Sequence, residues 1–334
     1  MKWPFIICIL FLGLSACQDS DQQASNNAPS IFDWLSKKED IIQLEIKGDL
    51  NHLFGGLHEA DHYHPAQLKL IRGDTTIQLT AKIARRGVTR RKICDFPPIK
   101  LKLSNDTLEN KGFARFNDYK LVTHCLAGED ELVLKEYLTY KLFNQLTPKS
   151  FRVQLAKVRY VDQSGVVENE EYFAFLIEDN KELAHRLGGK LVNPNKRKIS
   201  RVDKEQYKKM VLFQYMIGNT DWNLSKGHNV KWVQPKDSEV PIPIPYDFDY
   251  CGLVNAPYAV PHPQIPIKNV RQRYLQWRGK SKEVLLPVYE NFKIRKADFI
   301  AVCQAFEDLS EEQKTDMLEF LESFFEEVDN QTFL

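Results

Sequence analysis

The chain has 334 residues, with 46 Lys and Arg against 45 Asp and Glu, and a formal net charge of +1. With 43% hydrophobic and 27% charged residues it has a globular make-up, which excludes collagen-like, disordered and disulfide-dense classes. The balanced charge excludes general nucleic-acid binding, which needs a basic surplus. In chain order, Lys2 precedes an apolar run from Trp3 to Leu14 that is too short to span a bilayer and fits a secretory signal. Gln18 to Ser30 is rich in Gln, Asp, Ser and Asn and reads as a flexible tether. From Ile41 to Leu103 apolar residues alternate, as in Ile42-Leu44-Ile46, Leu68-Leu70, Ile77-Leu79 and Ile99-Leu101-Leu103, which predicts strands with a turn at Gly73-Asp74. Asp130 to Leu146 predicts a helix with two apolar stripes, Leu134-Leu138-Leu142 and Val133-Tyr140-Phe143. A helix apolar on two faces is expected between other elements, and Pro148 ends it. Strands return in Val153 to Val161 and Tyr172 to Ile177. Helices follow at Tyr207 to Ile217, Lys296 to Phe306 and Glu311 to Val328. This order predicts an α+β chain with two lobes, divided near Glu178 to Lys181.

Leu14-Ser15-Ala16-Cys17 resembles the lipobox of bacterial lipoproteins. That resemblance implies removal of residues 1–16, acylation of Cys17, a tether over residues 17–35, and a lipid-anchored place in the cell envelope, periplasmic or surface-exposed. Of six cysteines, Cys8 and Cys17 fall in that segment, leaving Cys94, Cys125, Cys251 and Cys303. No C-x-x-C spacing occurs, so zinc-finger and thioredoxin-like sites are not expected. Cys94 and Cys125 stand in strand-like segments of an oxidising compartment and are predicted to pair, the alternative being two buried free thiols.

The densest polar signal is Gly218-Asn219-Thr220-Asp221-Trp222-Asn223-Leu224-Ser225-Lys226-Gly227-His228-Asn229, followed after a short strand by Pro245-Tyr246-Asp247-Phe248-Asp249-Tyr250. A loop with Asp and Asn, a strand, then a further Asp supplies what phosphoryl transfer needs: an Asp for the acceptor hydroxyl, and an Asn and a second Asp as hard oxygen ligands for Mg²⁺. Asp and Asn are also ordinary turn residues. Pro241, Pro243 and Pro245 alternate with Ile242, Ile244 and Tyr246, which removes donors from one strand edge and leaves the other free to pair. His58-Glu59-Ala60-Asp61-His62-Tyr63-His64 could ligate a transition metal, since His58 and His62 are four apart, but Pro65 and the lack of helical context favour a plain loop. Arg85, Arg86, Arg90, Arg91 and Lys92 read as a phosphate-binding turn or a solvated charged loop.

From about Ile41 to Phe324 the chain resembles the CotH kinase family, the atypical protein kinases typified by spore coat protein H, and within it a Bacteroidetes-type lipoprotein branch. The residues that carry the resemblance are Arg86-Gly87-x-x-Arg90-Arg91, Cys94-Asp95-Phe96-Pro97-Pro98-Ile99-Lys100-Leu101, Tyr119-Lys120-Leu121-Val122-Thr123-His124-Cys125 and Leu134-Lys135-Glu136-Tyr137. They continue with Ser150-Phe151-Arg152-Val153, Phe175-Leu176-Ile177-Glu178-Asp179, Gly218-Asn219-Thr220-Asp221-Trp222, His228-Asn229 and Tyr246-Asp247-Phe248-Asp249. The resemblance implies a two-lobed atypical protein-kinase-like fold, with a sheet-rich first lobe over residues 36–180 and a mainly helical one over 181–334. It implies ATP and Mg²⁺ as cofactors and a protein or small-molecule hydroxyl as acceptor. It makes Asp221 catalytic and Asn229, Asp247 and Asp249 metal ligands. Lys100, Lys102, Glu136, Arg86 and Glu178 become cofactor-binding, with Lys100 or Lys102 on the phosphates and Glu136 as the lysine's partner. Glu136 falls between Val133, Tyr140 and Phe143, and a carboxylate on such a face needs a cation. Asn229 stands eight residues after Asp221 where five is usual in such loops, and Asn223 is an alternative ligand. The other readings are a non-catalytic envelope binding lipoprotein and a nucleotidyl or ligase chemistry on the same scaffold.

Overall fold

The computed structural model describes residues 28–330 except 39, 56–61, 88–89, 97, 127, 167–168 and 195–201. The lipobox, Cys17 and His58 lie outside the described residues. Seven strands carry the first part of the chain: β1 (Ile42–Gly48), β2 (His64–Arg72), β3 (Thr75–Arg85), β4 (Ile99–Leu103), β5 (Asp118–Val122), β6 (Val153–Asp162) and β7 (Glu170–Ile177). They close into a barrel in the order β1-β2-β3-β4-β5-β7-β6. The alternation read from the sequence sets the faces: Ile42, Leu44 and Ile46 are buried while Gln43 and Lys47 are exposed. Gly73, at φ 52°, makes the tight β2–β3 link. The closing seam is parallel, β1 on β6, with Leu44 opposite Val158 and Ile46 opposite Tyr160.

This seam overturns the expected two-lobed kinase-like architecture. The strands do not form an open sheet above a helical half; they wrap until the first meets the sixth. Full closure leaves the barrel without an unpaired edge strand among the described residues. The tether expected to run to residue 35 also stops sooner. Ser30 Oγ accepts the Asp33 N–H at 2.8 Å and Asp33 returns the bond to the Ser30 N–H at 2.8 Å, a capping box that starts α1 (Ile31–Leu35). Ile31, Phe32 and Leu35 join the barrel core with Leu68, Leu101 and Leu176.

Helix α2 (Leu50–Gly55) and the short α3 (Arg90–Ile93) and α4 (Asn105–Asn110) lie in the barrel's connections. Helix α5 (Asp130–Leu146) packs on β7 and β6 and on a later helix, Lys296–Gln304, so the sandwiched position expected of it holds. Then come α6 (Asn180–Arg186), β8 (Gly189–Leu191), α7 (Lys204–Met216), β9 (Val230–Pro235), β10 (Ile242–Pro245), α8 (Leu286–Ile294), α9 (Lys296–Gln304) and α10 (Glu311–Asp329). β10, β9 and β8 form a small antiparallel sheet, in which the proline-bearing β10 is an edge paired only to β9. A second core joins Leu138, Leu142 and Phe143 of α5 to Phe213, Phe248, Phe292 and Phe324. This packing holds the α7–β9 connection and the turn after β10 against the α5 face that bears Glu136 and Tyr140.

Candidate functional site

Helix α7 ends at Gly218, whose φ of 65° turns the chain back. A Cβ there would lie 3.0 Å from the Phe320 ring and 3.1 Å from the Val270 carbonyl, so the turn needs glycine on both counts. Asn219 Oδ1 accepts the Asp221 N–H at 2.9 Å, a local turn that presents the Asp221 carboxylate. Asn223 and His228 then exchange backbone bonds of 2.9 and 3.1 Å and close a miniature hairpin. This hairpin takes up the additional residues between Asp221 and Asn229. It returns His228 Nε2 to 2.8 Å from Asp221 Oδ1, and Asn229 Nδ2 donates to Asp221 Oδ2 at 3.0 Å and to the Asp221 carbonyl at 2.7 Å. Asn223, the alternative ligand, spends its Oδ1 on the Lys226 N–H at 3.0 Å within the hairpin.

Asn229 joins this loop to the second motif. Its carbonyl accepts the Tyr246 N–H at 3.1 Å, next to Asp247, whose own N–H donates to Tyr140 Oη at 2.8 Å. Asn229 and Asp247 have φ values of 52° and 66°, left-handed conformations that cost non-glycine residues energy and cluster at functional sites. Glu136, Asp247 and Asp249 each offer a carboxylate oxygen within 4.8 Å of the others. Glu136 and Asp249 are buried, and Glu136 Oε1 has no hydrogen-bond partner among the described residues. Burial, and then the charges of Asp249 and Asp247, push the Glu136 carboxyl well above the usual range. Burial, and then Asp247, raise Asp249 to about 7, while Tyr258 Oη donates to it at 3.3 Å.

Cations surround the trio without closing on it. Arg86 Nη2 stands 3.9 Å from Asp247 Oδ1. Arg90 is spent on the Thr123 carbonyl at 2.5 Å and lies over the Tyr258 ring at 5.9 Å, and its charge is felt by both Glu136 and Asp249. Lys120 on β5 donates to Asn180 Oδ1 at 2.9 Å. Burial, and then the neighbouring Arg86 and Lys231, lower its ammonium to about 7, with Asp118 and Asp247 pulling the other way. The hydrogen bond that His228 gives to Asp221, and the charge of that carboxylate, raise His228 above its ordinary value against some desolvation. The Cys94–Cys125 pair expected from the sequence is joined, with Cα atoms 4.5 Å apart, although the two residues flank strands instead of lying in them. The link ties the α3 segment that carries Arg90 to the end of β5, where the Phe96 N–H also donates to the Cys125 carbonyl at 3.1 Å.

Of the residues singled out in the sequence, Asp221, Asn229, Asp247, Asp249, Glu136 and Arg86 meet here. Lys100, Lys102 and Glu178 do not. Lys100 pairs with Asp118 at 3.4 Å and lies 5.8 Å over the Tyr63 ring. Lys102 is exposed on the outer face of β4. Glu178 is locked between Arg152 and Arg186 at 2.9 and 2.8 Å. The cation facing Glu136 is Arg90, not the expected lysine. Lys120, directly across the strand pair from Lys100, is the lysine at the trio. Its signal in the sequence was a lone charge in the apolar run Tyr119 to Val122. His228 stood in the polar motif and Tyr140 in a helix stripe, but nothing in the sequence assigned either a role at the site.

No protein-family model matches the sequence, and no curated protein is significantly similar to it. Among solved structures, similarity is found to the crystal structure of a Helicobacter pylori proinflammatory kinase, CtkA. The TM-score is 0.40 and the identity 13%, covering 68% of this chain and 88% of that one. Likeness at that level carries no argument about fold or activity here.

Proposed function

We propose that the chain is a phosphotransferase of the cell envelope, tethered by lipid on Cys17, that moves the terminal phosphoryl group of ATP to a hydroxyl of a protein or small-molecule acceptor. The observation that carries this reading is Asn229, which holds the Asp221 carboxylate with its side chain and the strand entering Asp247 with its backbone. A proton acceptor and a cluster of acids are thereby fixed side by side.

The donor set fits Mg²⁺. Three carboxylates within 4.8 Å, one with an unmet buried oxygen, are hard ligands short of positive charge. Glu136, Asp247 and Asp249 would hold the ion, which when bound neutralises charge on the nucleotide phosphates. Arg86 and Lys120, on the Asp247 side, would bind the phosphate oxygens, and a phosphate would raise Lys120 from its lowered value. Asp221, with one oxygen held by His228 and the other by Asn229, has a fixed carboxylate that would orient the acceptor hydroxyl and take its proton.

A transfer assay on the detergent-solubilised full chain tests this, with labelled ATP, Mg²⁺ and hydroxyl-bearing peptides and small molecules. Asp221→Asn should cut transfer by about 10²-fold or more while nucleotide binding stays within about twofold. Nucleotide binding without transfer to any acceptor would favour the non-catalytic envelope binding protein instead.

A further inference from the structure

Beside Asp221, on the hairpin side, lies an open hollow of about 710 Å³. One wall is the Asn223–His228 hairpin and the other is the irregular segment from His262 to Arg278. Its lining includes Lys226, His228, His262 and Arg278, and among the described residues its only carboxylate is Asp221, which His228 already engages at 2.8 Å. Lys226 and Arg278 are exposed and form no ion pair with any described residue; Arg278 Nη1 reaches only Ser225 Oγ, at 3.4 Å.

The far wall is anchored. Gln276 Nε2 donates to the Thr220 carbonyl at 2.7 Å. Trp277 donates to the Ser281 carbonyl at 2.7 Å and stacks on Tyr207 at 5.5 Å, which fixes the backbone that bears Arg278. Two cations, Lys226 and Arg278, thus border a space much larger than a hydroxyl, open to solvent and bounded by the residue that would receive the acceptor's proton.

We infer that this hollow takes an anionic side chain of a peptide acceptor, so that the hydroxyl presented to Asp221 belongs to a Ser or Thr with an acidic or phosphorylated neighbour. The inference rests on the phosphotransferase reading for the role of Asp221, but the hollow's preference is a binding property that can be read without transfer. In an extended peptide, residues two apart are separated by about 7 Å, so a hydroxyl at Asp221 brings a flanking side chain within reach of Lys226 and Arg278. Both cations are solvent-accessible, so the preference is modest, on the order of tenfold, and falls as salt rises.

The test is a fluorescence-anisotropy titration of labelled Ser peptides onto the full chain in detergent at low salt, without nucleotide. Four flanks are compared: Glu, phosphoserine, Gln and Lys. The Glu or the phosphoserine peptide, or both, should bind about tenfold more tightly than the Gln peptide, and whichever binds more tightly identifies the anion as carboxylate or phosphate. The Lys226→Glu/Arg278→Glu variant should prefer the Lys peptide, and single Lys226→Gln should lose about threefold for the anionic ones. Both positions are exposed, so a melting curve matching the parent's shows the variants folded. Gln or Lys peptides binding the parent as tightly as the anionic ones, or no measurable binding of any peptide, overturns the inference. A titration of Mg²⁺ and ATP on the same preparation separates the two ideas: anionic peptides bound by a chain that binds no nucleotide leave the hollow standing and remove the phosphotransferase.

Discussion

Two clusters of buried acids in this molecule differ in how their charge is met. In the first, Glu178 accepts Arg152 Nε at 3.0 Å, the Arg152 N–H at 3.1 Å, and Arg186 at 2.9 and 2.8 Å. Beside it Glu182 takes Arg152 at 2.5 Å, together with Ser30 Oγ and Tyr119 Oη. In the second, Glu136, Asp247 and Asp249 crowd together while the closest guanidinium contact, Arg86 on Asp247, stands at 3.9 Å and one Glu136 oxygen meets no donor. Both clusters have arginines nearby; only the first has them in hydrogen-bond contact. A cluster whose acids are saturated fastens parts of the fold together, here α1, β6 and α6. A cluster left short of cations has capacity for a ligand.

The largest effect should come from breaking the saturated cluster. Glu178→Ala leaves Arg152 and Arg186 facing each other without their shared carboxylate, and should cost about 3–5 kcal/mol in denaturant unfolding. Reduction of Cys94–Cys125 comes next. The bond closes a loop with a sequence separation of 31, worth about 3–4 kcal/mol by loop-closure entropy. Cys94→Ser/Cys125→Ser should unfold at correspondingly lower denaturant and, because Arg90 loses its mooring, bind divalent cations with altered affinity.

The trio should respond to pH in the opposite sense to an acid that its partners hold down, such as Asp33 beside Arg152 and Ser30, and in the same sense as the buried Glu182, which burial raises to about 7. Asp249 is held at about 7, against an ordinary 3.8. A carboxyl with a raised folded value keeps its proton in the native state after the unfolded chain has lost it. Stability from this group is therefore full below pH 4, falls as pH rises to about 7, and is level above. Asp249→Asn should reduce that slope, leaving the share of Glu136 and Glu182, and stabilise the cation-free protein at pH 8 by about 2 kcal/mol, a discounted share of the shift because the trio titrates together. Unchanged pH dependence in a melting series would contradict the assignment. The smallest effect is a proton. Phosphate near Lys120 should restore its charge, so nucleotide binding at pH 8 takes up more than about half a proton. Calorimetry in buffers of different ionisation heat reads this, and Lys120→Met should abolish it.

The same contrast explains what could be read in advance. Strand faces and helices were legible because they follow local periodicity: α5 runs over Asp130–Leu146 as its stripes and Pro148 require. Closure was not, because β1 meets β6 across more than a hundred residues and no local pattern specifies that seam. The acidic motifs were legible by residue type and order. The cationic half was not, since Lys100 and Lys120 are register partners on adjacent strands and only the packing around β5 decides which one lies beside Asp247. The spacing from Asp221 to Asn229 made sense only once the hairpin had folded the intervening residues out of the way.

The central claim, that the unsaturated trio is a cation-dependent nucleotide site, is tested most directly by a thermal melt at pH 8 with Mg²⁺ and a non-hydrolysable ATP analogue. Ligand at a hundred times its dissociation constant stabilises by about 2.7 kcal/mol, several degrees in melting temperature. The parent protein should show that rise only when both Mg²⁺ and nucleotide are present, and Asp247→Ala should show none. An equal rise in Asp247→Ala, or a rise in the parent that needs no divalent cation, would contradict the account.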